Sequence, residues 1–576
     1  MLDIIFLNLH RRYLNREISY GGFLGIYLLS AFVNQEGYNA KSFAGTLEKG
    51  LNIVNNFCST EQVSMIGLYC DFDNVTENIF LCSYIKDHYN LPVIIGGPQA
   101  TALDKSFFIN SKCDAVVRYE GELTVLELMN FFIEDVGTLS DILGITYLDG
   151  DKLRFNPERP LIRNLDALPF ITESCYIDPD HHYRSGLSLM TGRGCPFHCA
   201  FCHEGAHTKA VRLRSVDNVL AEIDAYLKTW GKDDELYILF TDDTFTLSAD
   251  RVKNICKGLA ERRKCYNFKF FCEGHVHTIY KNPDMIKDLV AGGCVRIQLG
   301  IEAGTSQILQ AYGKNTNPNE ILEVIKICRD SGIQQVFGNI ILGGADFSRQ
   351  IFDTDKAFVN KIIREGQGIV EIGVVTYWPL PETRMTRCPN EFGINICDSE
   401  FLTSVGDFPQ IETAELDRLT IAEMERSLRQ EILDLMASML EQGQVPTERI
   451  LSWFPKSDKL TTYSMWFTTL INQKILYAYY EMMKLGEGIP LSQTGNILTA
   501  HPIRVVPLFQ YLKRVDSDTA EICGEIFADK ELEVVLLTTG KLTIEEISKR
   551  VSLTITEVVN VLQRLENHHL VIFSLH

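Results

Sequence analysis

"SLMTGRGCPFHCAFCHEGAH" (residues 188–207) sets Cys195, Cys199 and Cys202 in the spacing C-x-x-x-C-x-x-C. A structural zinc site is the rival reading, but it closes on four ligands, usually as two separated pairs. No C-x-x-C or H-x-x-x-H partner follows at that spacing, although His198, His203 and His207 lie close by. A disulfide reading fails on the odd count and on the compartment. Three thiolates on one tight loop can hold three irons of a [4Fe–4S] cluster and leave the fourth iron open for a substrate. The flanks suit that task. Gly192 and Gly194 let the backbone wrap closely around a bulky group, and Pro196 stiffens the loop.

Downstream, apolar strand-like runs alternate with helical stretches, the pattern of repeated βα units. "GLSLMTG" is the first strand. "ELYILFTDDTFT" (235–246) ends in Asp242 and Asp243, and "KFFCEGHVH" (269–277) carries Glu273 near its end. "CVRIQLGIEAGTSQIL" (294–309), "QVFGNIILGGADFS" (335–348) and "GIVEIGVVTYWPLPETRM" (368–385) complete six strands. Between them lie helical segments such as "SVDNVLAEIDAYLKTW" (215–230), with Ser215 as N-cap. In barrels of this kind the chemistry sits at the C-terminal ends of the strands, and the acids and glycines fall there.

On these residues the chain resembles the radical S-adenosylmethionine (radical SAM) superfamily, whose hallmark is this cysteine spacing after the first strand of a partial (β/α)₆ barrel. The resemblance implies that Cys195, Cys199 and Cys202 bind the cluster. It implies that the open iron chelates the amine and carboxylate of S-adenosylmethionine (SAM), and that reductive cleavage yields a 5′-deoxyadenosyl radical. Phe201 matches the aromatic residue common before the third cysteine. Asp242 and Asp243 stand at the second-strand motif that contacts the SAM amino group, though spelled without the usual glycines. "LGIEAG" places Glu302 near the ribose or methionyl end. "GNIILGG", with Gly338 and Gly343, matches the run whose backbone lies along the adenine. "PLPET" resembles the P-x-P-G-T run after the sixth strand, with Glu382 where glycine is usual. The resemblance further implies an electron donor such as flavodoxin or ferredoxin.

The N-terminal stretch "IIFLNL…YGGFLGIYLLSAFVNQEGYNAKSFAG" reads as strand, glycine turn, amphipathic helix and strand. "VSMIGLYC" and "LPVIIGG" continue the alternation toward a doubly wound parallel sheet. "LPVIIGGPQATALDKSF" and "CDAVVRYEGELTVLELM" resemble the cobalamin-binding domain that precedes the barrel in one radical SAM class. Gly96, Gly97, Pro98, Glu120, Gly121 and Glu122 align with its "GGPHAT…DYVVRGEGE" pattern, and Gly96 and Gly97 are expected to admit the corrin or its nucleotide tail. The axial-histidine motif D-x-H-x-x-G is replaced by N-x-H-x-x-Y, "NLHRRY", around His10.

The C-terminal third turns helical. "TAELDRLTIAEMERSLRQEILDLMASMLEQG" (413–443) and "SMWFTTLINQKILYAYYEMMKLG" (464–486) carry core stripes at helical spacing. Cys388 and Cys397 read as structural. "KELEVVLLTTGKLTIEEISKRVSLTITEVVNVLQRLENHHLVIFSL" (530–575) resembles a winged helix-turn-helix, and similar winged domains recognise leader peptides in peptide-modifying enzymes. Its second long helix, 554–569, offers one arginine against two glutamates. That is too little charge for DNA, whose non-specific affinity comes from Lys and Arg at phosphates.

The expected domains are therefore residues 1–165 (cobalamin-binding-type), 183–390 (radical SAM partial barrel), 400–515 (helical) and 520–576 (winged-helix-like). The totals agree. At 576 residues the chain exceeds a single core. Its net charge of −20 argues against a nucleic-acid track. No apolar run reaches the roughly 20 residues that span a bilayer, and the charges at the N-terminus follow the apolar run, opposite to a signal peptide. Sixteen cysteines without an export signal point to a reducing cytoplasm. The expected function is an α/β radical SAM enzyme, most simply one that methylates an unactivated carbon with SAM and cobalamin. In that scheme the adenosyl radical abstracts hydrogen and methylcobalamin delivers the methyl group. Its substrate would be a peptide or small molecule in natural-product or ribosomal-peptide maturation. The alternatives are a cobalamin-independent epimerisation, cross-link or rearrangement, and, from another class, an iron–sulfur redox-sensing DNA regulator.

Overall fold

The computed structural model describes residues 2–10, 24–60, 62–72, 74–178, 186–207, 210–231, 236–397, 409–446, 450, 464–466, 469, 488–505, 512–516 and 518–575. The chain divides into two compact units, Met1–Glu365 with Ile372–Arg429, and Gly366–Glu371 with Gln430–His576.

The first unit opens with β1 (Leu2–His10), whose Ile4, Ile5, Leu7 and Leu9 are fully buried. A strand covered on both faces reads as a continuous apolar run instead of an alternation. Around it lie α1 (Leu24–Gln35), β2 (Ala40–Thr46), α2 (Leu47–Cys58), β3 (Val63–Tyr69), α3 (Val75–Tyr89) and β4 (Val93–Gly96). Then follow α4 (Lys105–Ser111), β5 (Ala115–Val117), α5 (Glu122–Phe132), β6 (Ile145–Asp149) and β7 (Lys152–Phe155). The sheet order is β2-β1-β3-β4-β5-β6-β7. Its first five strands are parallel and the last two antiparallel, the latter a hairpin that the alternation pattern did not reveal.

Chain direction across this sheet reverses between β1 and β3, and in doubly wound sheets ligands bind at that switch point beyond the strand ends. Asn74 ties those two ends together: its side-chain nitrogen donates to Leu9 O at 2.9 Å and to Tyr69 O at 3.2 Å. At the end of β4, Gly97 has φ +110°, and a Cβ there would lie 2.5 Å from the Cys70 carbonyl oxygen. Only glycine fits, for a reason internal to the fold.

The barrel follows: β8 (Leu187–Leu189), β9 (Gly192–Arg193), α6 (His203–His207), β10 (Arg212–Leu213), α7 (Val216–Trp230), β11 (Leu236–Phe240), α8 (Ala249–Arg262) and β12 (Phe268–Gly274). It continues through α9 (Val276–Lys281), α10 (Asp284–Gly292), β13 (Cys294–Glu302), α11 (Ser306–Ala311), α12 (Pro318–Ser331), β14 (Gln335–Leu342), α13 (Arg349–Gly366) and β15 (Val370–Thr376). Six strands stand in the order β8-β11-β12-β13-β14-β15, parallel from β8 through β14. Ser215 caps α7 by accepting from the Asn218 amide. β9 and β10 form a separate antiparallel pair at the base of the cysteine loop.

Beyond the barrel, β16 (Ile394–Ile396) pairs with β17 (Ile411–Thr413), and α14 (Arg418–Glu441) occupies the first of the two stretches read as helical. Of the second, 464–486, only residues 464–466 and 469 are described. The interval 400–515 is not helical throughout: β18 (His501–Arg504) and β19 (Leu512–Arg514) also lie in it. β19 joins β20 (Thr519–Ile522) and β21 (Glu525–Ala528) in an antiparallel sheet, turned at Cys523 (φ 51°) and Gly524 (φ 84°). Two consecutive positive φ values match a two-residue hairpin loop. The segment's charges masked its alternation.

Helices α15 (Lys530–Leu536), α16 (Ile544–Val551) and α17 (Ile555–Asn567) precede β22 (Val571–Ser574), which pairs with β18. Thr543 with Glu546 and Thr554 with Glu557 form reciprocal capping boxes. This is the helix-turn-helix and terminal strand expected from the sequence. Among the described residues no helix is long and apolar enough to cross a membrane.

Candidate active site at the cysteine loop

Cys195, Cys199 and Cys202 lie partly buried on the loop between β9 and α6. The loop is pinned by backbone bonds from Ala200 N to Tyr312 O (2.9 Å) and from Met385 N to Ala200 O (3.0 Å). Gly313 (φ +77°) permits the close pass, since a Cβ there would lie 3.2 Å from His198 O. Among the described residues no group of three His, Cys, Asp or Glu closes on a point that would hold a single metal ion. Three thiolates on one loop suit three irons of a cuboidal cluster, whereas a structural zinc site closes on four ligands.

The cysteine loop faces a buried ion pair. Lys314 Nζ lies 3.0 Å from Glu302 Oε1, with side chains 9% and 11% exposed. Burial works against the Lys314 charge, but Glu302 and the Cys199 thiol outweigh it and hold the lysine above its ordinary range. Burial in turn pushes the Cys199 thiol up, and Lys314 opposes that rise. Glu302 sits at φ +61° beside an irregularity in the β13–β14 register, a strained backbone of the kind that clusters at functional sites. Gly300 makes the room, because its Cβ would fall 2.2 Å from Lys314 Nζ. Phe201 packs edge-on to Tyr312 with centroids 5.1 Å apart, and Lys314 Nζ lies 5.8 Å from the Phe201 ring. Lys314 escaped the sequence reading because "AYGKNTN" carries no motif.

The other acids divide by task. Asp242 is 6% exposed and accepts from Thr191 N (2.9 Å) and Thr191 Oγ1 (2.7 Å), locking the ends of β8 and β11 together. Burial pushes it up to about 6. Asp243 accepts from Gly194 N at 3.0 Å, and burial with the nearby Glu204 and Asp242 charges pushes it up to about 6. Glu273 closes the set at the end of β12. It accepts from Gln298 Nε2 at 3.3 Å and is raised to about 7 by burial, with Asp243 and Glu302 adding to the rise.

Gly338 and Gly343 both serve close packing. A Cβ at Gly338 would lie 2.4 Å from Ile301 Cδ1, and one at Gly343 (φ +70°) 2.4 Å from Ile411 Cδ1. Glu382 (φ +66°), where the motif favours glycine, keeps the left-handed backbone that explains that preference.

A cavity of about 430 Å³ opens between the strand ends of the N-terminal sheet and the cysteine loop. Tyr69, Gly96, Gly97 and Gly121 line it from one side, and Gly194 and His203 from the other. A Cβ on Gly96 would meet nothing nearer than 3.7 Å. His203 is 9% exposed, and its Nε2 meets no hydrogen-bond partner. Its Nδ1 lies 3.7 Å from Glu204 Oε1, and an imidazole that keeps Nε2 open on the wall of a cavity at a sheet's switch point suits a large ligand with polar edges. The His10 side chain lies outside the described residues.

A six-stranded sheet, parallel from β8 through β14, with three cysteines looped beyond its first strand is the arrangement of a radical SAM domain, and residues 189–354 match the family model described as the Radical SAM superfamily. Such a domain takes a [4Fe–4S] cluster and SAM.

Among known proteins, an uncharacterized methyltransferase of Pyrococcus horikoshii is 31% identical over 294 residues, which cover 50% of this chain and 59% of that protein. The chain thus spans about half the length of the curated relatives it matches. Among solved structures, the cobalamin-dependent SAM radical enzyme OxsB, with aqua-cobalamin and SAM bound, superposes with TM-score 0.61 at 16% identity. That match covers 98% of this chain and 84% of that one. The radical SAM methyltransferase TsrM from Kitasatospora setae, with cobalamin and a [4Fe–4S] cluster bound, gives TM-score 0.58 at 15% identity, covering 76% and 89%. At such identities the likeness is one of fold.

Proposed function

We propose that this chain is a cobalamin-dependent radical SAM methyltransferase acting on an unactivated carbon of a peptide or small molecule. The carrying observation is the cavity of about 430 Å³ that joins the switch point of a doubly wound sheet to the cysteine loop. In this reading the bound cluster supplies the electron that cleaves SAM, and the corrin carries the methyl group. Cys195, Cys199 and Cys202 hold the cluster. Glu302 and Lys314 fix the polar end of SAM beside it, and the Phe201–Tyr312 pair walls that end from water. Glu273, raised to about 7, is placed to take or return a proton inside the barrel. Gly96 leaves the corrin room, and His203 offers it a hydrogen-bonding edge.

Flavodoxin or ferredoxin would supply the electron, in the cytoplasm. Nucleic acid is not part of this reading, since the single arginine of α17, Arg564, is committed to Glu525 (2.7 Å) and Glu531 (2.9 Å). The winged-helix-like end would instead dock a peptide substrate.

The test is anaerobic incubation of reconstituted protein with SAM, hydroxocobalamin and reductant, following 5′-deoxyadenosine, S-adenosylhomocysteine and the mass of candidate substrates. Both products should form and should vanish when any of the three cysteines becomes Ala. Cleavage of SAM without cobalamin uptake would overturn methyl transfer in favour of epimerisation, cross-linking or rearrangement. A triple Cys→Ala protein that kept its iron and its activity would overturn the whole reading.

A further inference from the structure

Arg193 and Arg212 stand directly opposite each other in the β9–β10 pair, which closes the base of the loop that bears the three cysteines. Like charges facing each other across two strands destabilise the pairing. Both side chains are largely buried, at 18% and 13% exposure, where an uncompensated charge is costly. Taken alone, this hairpin would tend to open.

The compensation comes from the N-terminal domain. Glu120 Oε1 lies 3.0 Å from Arg193 Nη1 and 2.7 Å from Arg212 Nη1, so one carboxylate bridges both strands. Glu122, 4% exposed, pairs with Arg193 Nη2. The second Glu120 oxygen accepts from Ile162 N at 2.9 Å, and Arg212 Nη1 donates to Ile162 O at 2.8 Å, which ties the interdomain linker into the same knot. Burial works against the charge on Glu120, yet Arg193 prevails and holds that carboxyl below its usual range. Two guanidiniums and two carboxylates cancel only while the two domains are docked.

We propose that Glu120 and Glu122 are positioning residues for the cysteine loop, and that docking of the N-terminal domain, through this four-residue ion cluster, holds β9 and β10 together and fixes Gly194 and Cys195. The inference rests on reading that loop as the iron–sulfur site. Glu120, Glu122, Arg193 and Arg212 also line the cavity, so whatever occupies it bears directly on the residues that hold the loop. The E-G-E run that resembles a cofactor-domain motif thus acts on the neighbouring barrel.

The experiment uses the full chain, reconstituted with iron and sulfide. In Glu120→Gln/Glu122→Gln, two buried arginines face each other without compensation. Far-UV circular dichroism should stay that of the wild type. Iron release to a chelator should quicken roughly a hundredfold, as the loss of one side of a buried ion pair predicts. The low-temperature EPR signal of the reduced cluster should broaden and lose its response to SAM. Charge transposition separates an electrostatic clamp from a merely packed contact: Glu122→Arg and Arg193→Glu should each release iron quickly, and the two combined should recover most of the loss.

Wild-type iron retention and EPR in the double glutamine variant would overturn the proposal, as would a transposed pair no better than its worse single change. Should the double glutamine variant fail to fold, the transposition series decides. Should the wild type take up no cluster, the functional reading fails, and hydrogen exchange of residues 192–214 in the metal-free chain still judges the clamp. Faster exchange in Glu122→Gln supports it and unchanged exchange refutes it.

Discussion

Replacing Lys314 by Met would remove one half of the buried pair that faces the cysteine loop and leave the Glu302 carboxylate alone. Two unit charges 3.0 Å apart attract by about 5–6 kcal/mol at an effective dielectric constant of about 20. Desolvating both ions takes back most of that, so the intact pair contributes little net stability. Deleting one partner is different, because the survivor has already lost its water. The expected cost is about 3–5 kcal/mol, felt locally where β13 runs into the α11–α12 connection.

A chain of several domains does not unfold in one step, so the readout has to be local. Hydrogen exchange followed by mass spectrometry on peptides spanning 294–317 should show protection falling by about two to four powers of ten in Lys314→Met. Glu302→Gln should do the same by stranding the ammonium. The combination Lys314→Met/Glu302→Gln should recover most of the protection, since no buried charge is left unpaired. Full protection in Lys314→Met, or a double variant as damaged as the sum of its parts, would refute the argument that the pair acts as a unit.

Asp355 is 1% exposed, accepts from the Gly304 amide at 2.6 Å, and is raised from 3.8 to about 7 by burial. Its protonated form therefore favours the fold, and that contribution, present at low pH, is lost as pH rises from about 4 to about 7. Asp355→Asn should flatten the pH dependence of barrel stability across that window, read as hydrogen exchange of β13 and α13 peptides, and an unchanged slope would count against it. Glu273→Gln should remove an inflection near pH 7 from the rate of SAM-dependent turnover while leaving iron content intact; an inflection that persists would assign it elsewhere. Gly97→Val should destabilise the N-terminal sheet itself, through the 2.5 Å approach to Cys70 O and a φ that valine does not tolerate. Loss of cobalamin from Gly97→Val with a fully native hydrogen-exchange pattern would point instead to a direct steric role.

Local chemistry was legible in the sequence wherever one segment carried it. The cysteine loop, the six barrel strands, the parallel order begun by β1 and the capped helices of the winged end each depend on residues a few positions apart. Spacing, periodicity and caps report such interactions directly. The β20–β21 hairpin is likewise encoded locally, in the two-residue turn of "ICGEI", whose signal is diluted by the charges around it.

Other features exist only once the chain is folded. Lys314 meets Glu302 across 12 positions, Arg193 meets Glu122 across 71, and the Gly304 amide meets Asp355 across 51. No local pattern encodes partners so far apart, and the same lysine or glutamate in water would read as solvated surface. Burial changes their meaning, because a charge removed from water must find its counter-charge in whatever segment packs against it. The sequence by itself determined that this chain carries three thiols fit for an iron–sulfur cluster on an α/β barrel behind a doubly wound sheet. Tertiary structure alone decided which charges surround those thiols and that Glu120 and Glu122 meet the arginines at the base of their loop.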